Sequence, residues 1–315
     1  LNSFILIIKH ISISISNEEN SSDNQKKEIK KTHEEIMNII KQNEQVIIAI
    51  VGVLDDDIQT FNLFINKFKI QLANNNLEDD FCKAYIIYEW ICKKIEYDLK
   101  NEDKEGSEVD YIQIFNNRKT PTSSGYANLF AGIANEFEIK VKIVNGKIKG
   151  KLDEDDSKKK LKSWNIIEIN NNKYFVDTFM GSGNIIQGKW KKDYSDYYFC
   201  PNPEEFIFSH FPSVTNGENI ADYTLLSGKD LINTFDEFNN LATVKRIFFK
   251  NNFISITPKS YNIEVDSTNS AQIIITFNTK KIQEKDVKLL CQVQNKENKE
   301  NKENKAKFEI KGSVN

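Results

Sequence analysis

Between residues 79 and 179 the spacing of apolar side chains changes period, and this restricts the fold class more than any other feature of the chain. In DDFCKAYIIYEWICKKIEYDL (79–99), Ala84, Ile87, Ile91 and Ile95 recur at helical spacing, Tyr88 and Trp90 flank them, and Glu89 precedes Lys93 by four residues. That spacing puts the apolar groups on one face of a buried helix and sets the two charges side by side. From residue 139 the period drops to two. IKVKIVNGKIK (139–149) alternates around Asn145-Gly146 and is expected to be a strand pair turned at that dipeptide. WNIIEINNNKYFVDTF (164–179) reads as two strands around an Asn turn. Helices followed by strands predict an α+β domain with an antiparallel sheet.

The flanks extend this pattern. Phe61, Phe64, Ile65 and Phe68 sit at helical spacing in a stretch expected to begin near Asp57. THEEIMNIIKQNEQ (32–45) has a capping Thr, a Glu three residues on, and Ile36, Ile39 and Ile40, the signature of a short amphipathic helix. Residues 17–32 are charged and polar without apolar spacing and are expected to be disordered or solvated. PNPEEFIFSHFP (201–212) has a Pro-led helix start and a Pro stop. Beyond about residue 240 short alternating runs predict a small β-sandwich, with the low-complexity repeat NKENKENKENK (295–305) in an exposed loop. The expected organisation is an N-terminal segment (1–52), an α+β domain (53–238) and a β-sandwich (239–315).

With 315 residues, 39% of them hydrophobic, the chain has enough apolar material for about two folded domains. Its formal net charge of −3 provides no overall field for nucleic acid or an anionic membrane surface. Cys82, Cys92, Cys200 and Cys291 form no CxxC pair and have no histidines at ligand spacing, so neither a metal site nor a cofactor is expected. Cys82 and Cys92 read as small buried hydrophobes, and the thiols fit a reducing compartment. The apolar run in LNSFILIIKHISISIS is too short to span a bilayer and lacks a basic segment and a small-residue cleavage site. Localisation is therefore expected to be cytoplasmic.

Several ordered motifs carry a resemblance. YEWICKKIEYD has Tyr88, Trp90, Ile91, Ile95, Tyr97 and Asp98 in the pattern Y-x-W-I-x-x-x-I-x-Y-D. RKTPTSSGYANLF has Arg118, Lys119, Gly125, Tyr126, Ala127, Leu129 and Phe130 around a helix-start turn. KSWNIIEINNNKYFVDTFMGSG keeps Trp164, Asn165, Val176, Asp177, Gly181 and Gly183. These segments resemble transglutaminase-like domains, and PEEFIFSHFP followed by YTLL resembles their kyphoscoliosis-peptidase branch. The resemblance covers roughly residues 60–280. It implies a papain-like core of helices and antiparallel sheet, followed by an immunoglobulin-like sandwich.

In that family a Cys, a His and an Asp perform acyl transfer. A thiolate at a helix N-terminus is stabilised by unsatisfied N–H groups, an imidazole moves the proton, and a carboxylate fixes the imidazole. The resemblance places Ser123 where the Cys belongs, Lys162 where the His belongs, and Asp177 at the carboxylate position. A lysine acts as a base only when its ammonium is destabilised, and a Lys162–Asp177 ion pair is expected to keep it charged. Ser123 or Ser124 also fits a helix N-cap, Arg118 fits a loop tie, and His210 in SHFP is expected to be structural.

The expectation is a pseudoenzyme: a catalytically inactive transglutaminase-like protein acting as an intracellular protein-binding scaffold, with the resemblance suggesting cytoskeletal partners. The competing reading is an active acyltransferase or peptidase using Ser123 with Lys162 and Asp177. A third is a carbohydrate- or peptide-binding surface protein built on the sandwich.

Overall fold

The computed structural model describes residues 30–54, 58, 60–104, 110–149, 161–215, 217–242, 244, 253–257, 259–260, 274–277, 288–293 and 304–309. The described residues from 30 to 244, with 259 and 260, form one compact unit, and the strands from 253 onward belong to another.

The first unit opens with α1 (His33–Gln42), whose start is a capping box: Thr32 accepts from the Glu35 amide while the Glu35 carboxylate accepts from the Thr32 amide. The apolar stretch that follows is α2 (Glu44–Leu54). α3 (Phe61–Asn74) begins later than the expected Asp57, because Thr60 is the residue whose hydroxyl caps it, accepting from the Leu63 amide. α4 (Asp80–Lys94), capped by Asp79, is the central helix. Ala84, Ile87 and Ile91 on its stripe are fully buried, as is Ile95 just past its end. α4 packs against both α1 and α2, and Trp90 Nε1 donates to the Leu54 carbonyl at 3.2 Å.

Trp90 also stacks on Phe115 at 5.5 Å and meets Phe64 at 4.6 Å. Burying such side chains contributes about 2–3 kcal/mol apiece. Arg118, in the left-handed region at φ 53°, closes α5 (Tyr111–Asn117). Its guanidinium lies 3.9 Å over Phe115, donates to the Phe115 carbonyl, and reaches the Ile58 carbonyl at 3.3 Å, so it ties the loop down. β1 (Glu96–Tyr97) and β2 (Lys119–Thr120) form a short parallel pair beside it.

α6 (Ser123–Asn135) lies on an antiparallel sheet of order β5-β4-β3-β8. Its strands are β3 (Lys140–Ile148), β4 (Lys162–Ile169), β5 (Asn172–Val176) and β8 (His210–Pro212). The expected turn at Asn145-Gly146 does not occur. β3 runs straight through it, Gly146 pairing with Lys162 on one side and Pro212 on the other. A side chain at 146 would strike the Phe211 carbonyl and the Trp164 ring. Glycine is needed here for close approach rather than for a turn. The Asn turn between β4 and β5 is present, with Asn170 and Asn171 at φ 52° and 58°.

After β5 come α7 (Thr178–Ser182), the hairpin β6 (Gly183–Ile186) and β7 (Lys189–Lys192), and α8 (Pro203–Phe206), with Pro at its first helical position. Two short helices, α9 (Ala221–Thr224) and α10 (Phe235–Asn240), complete the unit. Among the described residues no helix is long and apolar enough to cross a membrane.

In the second unit, β9 (Phe253–Thr257) pairs antiparallel with β10 (Ile274–Phe277), and β11 (Lys288–Val293) pairs antiparallel with β12 (Asn304–Glu309). The immunoglobulin-like sandwich expected over 239–315 falls largely outside the described residues. So do residues 1–29 and most of the repeat at 295–305.

Candidate functional site

Ser123 sits where the first turn of α6 meets the start of β4. Its hydroxyl oxygen accepts from the Ser163 amide at 3.0 Å, and the residue is 2% exposed. The cap of α6 is Thr122 rather than Ser123 or Ser124. Thr122 holds the extended backbone that a cap requires (φ −135°, ψ 150°), and its Oγ1 accepts from the Gly125 amide at 3.0 Å. Ser124 donates to the same oxygen at 2.9 Å. Helix and sheet are joined again nearby. Asn165 Nδ2 donates to the Ala127 carbonyl at 3.1 Å, and within the sheet Ser163 Oγ donates to Asn145 Oδ1 at 2.7 Å.

Lys162 opens β4, and its ammonium lies 5.6 Å over the ring of Phe179. Phe179 in turn stacks on Trp190 at 5.6 Å and meets Tyr126 edge-on at 5.6 Å, so the lysine faces an aromatic platform assembled from α6, α7 and β7.

Asp177 closes β5 and caps α7, and its carboxylate is fully buried. One oxygen accepts from the Met180 amide at 2.8 Å and the other bonds His210 Nε2 at 3.0 Å. The carboxylate expected beside Lys162 is thus engaged by His210. Antiparallel order brings the two residues together although they stand 33 positions apart. The imidazole is 1% exposed, stacks 3.8 Å on Phe206, meets Trp164 edge-on at 5.2 Å, and has Ser209 Oγ 2.7 Å from Nδ1. The SHFP segment displayed this histidine in the sequence. Nothing local displayed its partner.

Cys82, Cys92 and Cys200 are buried and unpaired by disulfides. Burial pushes the Cys82 thiol up to about 12 and drives Cys92 and Cys200 upward as well. A thiol held protonated is a poor nucleophile. Among the described residues, no group of three His, Cys, Asp or Glu is placed to hold a metal ion.

Of the three positions singled out in the sequence, Ser123 and Lys162 come to the same end of β4, linked through the amide of Ser163, while Asp177 is held by His210. Residues 70–177, which span α4, α6, β4 and β5, match the family described as the Transglutaminase-like superfamily. Over 197 residues the chain is 27% identical to the kyphoscoliosis peptidase of Homo sapiens and 26% identical to that of Mus musculus. The match covers 61% of this chain and 28% of each relative, so the chain spans little more than a quarter of their length. Residues 70–177 thus carry a transglutaminase-like domain, and the chain is similar there to kyphoscoliosis peptidases.

Proposed function

We propose that this domain keeps the transglutaminase-like frame without its thiol chemistry and acts as an intracellular protein-binding scaffold associated with the cytoskeleton. The observation that carries this reading is the engagement of both ends of the would-be relay. The Ser123 oxygen is a buried acceptor for the Ser163 amide, and Asp177 is bonded to His210 rather than to residue 162. A serine hydroxyl gains little from a helix N-terminus that would stabilise a thiolate, and it needs a base. The Lys162 side chain lies over the face of Phe179, 5.6 Å from the ring centroid. The reading thus rests on the contacts of Ser123 and of Asp177 with His210, beside the Lys162–Asp177 pair expected from sequence. Cys82, Cys92 and Cys200, buried with raised thiols, supply no substitute nucleophile.

The same experiment tests this reading and the active Ser123–Lys162–Asp177 alternative. Wild type and the Ser123→Cys, Lys162→His double variant are treated with serine- and cysteine-directed acylating probes. The expected result is no labelling of Ser123 in wild type. Labelling that disappears in Ser123→Ala would overturn the reading in favour of the alternative. Cosedimentation with purified actin filaments and with microtubules tests the cytoskeletal half, and a chain that stays in the supernatant with both removes it.

A further inference from the structure

The hairpin of β6 and β7 pairs with no other described strand. Its root is fixed. Trp190 stacks on Phe179 at 5.6 Å and meets Tyr97 at 5.1 Å, Lys192 bridges to Glu96 at 3.5 Å, and Asn184 Nδ2 donates to the Asp193 carboxylate at 3.1 Å. Its tip is open. Gln187 and Gly188, at φ 52° and 71°, make the tight turn, and the two residues before it, Ile185 and Ile186, are 39% and 42% exposed.

Register puts Ile185 opposite Trp190 and Ile186 opposite Lys189. Successive strand residues point to opposite faces, so the tip presents an isoleucine on both faces of the ribbon. Lys189 and Lys191 are exposed on the face that carries Ile186, and among the described residues no carboxylate pairs with either.

We infer that this hairpin docks on an anionic lipid surface, with Ile185 and Ile186 inserted just below the headgroups and Lys189 and Lys191 against the phosphates. The docking stands whether or not Ser123 is catalytic. Shape favours lipid over a protein partner. A partner that packs on one face of a ribbon leaves the other isoleucine in water, whereas a lipid phase surrounds the tip. Strand addition along β7 is opposed by its lysines.

Strand residues rise about 3.3 Å each, so Lys191 stands roughly 7 Å behind Lys189. A tip sunk by about 5 Å therefore keeps both ammonium groups at headgroup level, the Lys189 stem reaching back along the ribbon. The net charge of −3 gives the whole chain no attraction for such a surface, but screening confines each charge to about 8 Å at physiological salt, so the tip lysines act locally. Glu96 and Asp193 lie at the root, engaged by Lys192 and Asn184.

The test is cosedimentation of the full chain with vesicles of phosphatidylcholine alone and of phosphatidylcholine with about 30% phosphatidylserine. Wild type is expected to pellet with the anionic vesicles only, and to partition at least about tenfold less at about 0.5 M salt. The Ile185→Thr, Ile186→Thr variant keeps β-branched side chains in the strand and is expected to partition about tenfold less than wild type. Lys189→Gln, Lys191→Gln is expected to lose about fivefold per lysine. Insertion has its own readout. Trp90 and Trp164 are each 1% exposed, so quenching of tryptophan fluorescence by lipids brominated near the top of the acyl chain reports Trp190. If a variant does not fold, this quenching in wild type decides the matter. Wild type left in the supernatant, binding that either variant retains in full, or binding without quenching overturns the inference. A chain whose hairpin binds actin filaments or microtubules but not vesicles assigns the tip to a protein partner, and that result overturns it equally.

Discussion

Replacing His210 with alanine is expected to destabilise the domain by about 4 kcal/mol. The imidazole is 1% exposed, lies 3.8 Å from Phe206 and 5.2 Å from Trp164, and bonds the buried Asp177 carboxylate. Truncating an aromatic ring in a filled core costs about 3 kcal/mol at the low end. Removing a hydrogen bond to a charged group costs about 1.5–3 kcal/mol more, and here it leaves a buried carboxylate with only the Met180 amide. Both losses arise from one side chain and overlap, so the total falls slightly below the sum of their lower ends, about 4.5 kcal/mol.

For a unit of this size the change corresponds to a Tm lower by about 8–16 °C. Urea denaturation followed by tryptophan fluorescence measures it, with Trp164 reporting from beside the ring. Asp177→Asn keeps an acceptor for the Met180 amide and can donate to His210, and should cost about 1 kcal/mol. The double variant should reveal a coupling of about 1–3 kcal/mol between the two positions. A loss below about 1 kcal/mol in His210→Ala, or no coupling, would refute the claim that this pair serves the fold.

Two further outcomes are expected. Thr122→Ala should cost about 1 kcal/mol in the same assay, since it removes the cap on the Gly125 amide and the partner of Ser124, and an unchanged stability would mean that the first turn of α6 is held elsewhere. Native protein treated with a thiol-specific disulfide reagent at pH 8 and mapped by mass spectrometry should leave Cys82, Cys92 and Cys200 unmodified, because burial raises all three thiols; modification of any of them at the rate of a free thiol contradicts that environment.

Local pattern made much of this domain legible. The stripe Ala84, Ile87, Ile91, the Thr32 and Glu35 capping box, the Pro203 helix start and the Asn170-Asn171 turn are all written in spacings of two to seven residues. Where reading failed, a partner distant in sequence decided the outcome. Asn145-Gly146 has the composition of a hairpin turn, yet β4 and β8 pair on either side and hold it extended. Ser123 and Ser124 suit a cap as well as Thr122 does in composition, and only the backbone angles separate them.

The aromatic and glycine motifs by themselves determined the frame around residues 123, 162 and 177, because each motif is short and its physics is local. Tertiary structure alone decided what those residues touch. Asp177 could pair with any cation or imidazole that the sheet brought within about 3 Å. The order β5-β4-β3-β8, and the packing of His210 flat on Phe206 and edge-on to Trp164, made its partner His210, with Lys162 facing Phe179. A hydrogen bond across 33 residues depends on how the intervening strands are ordered, and no spacing within either segment encodes that order.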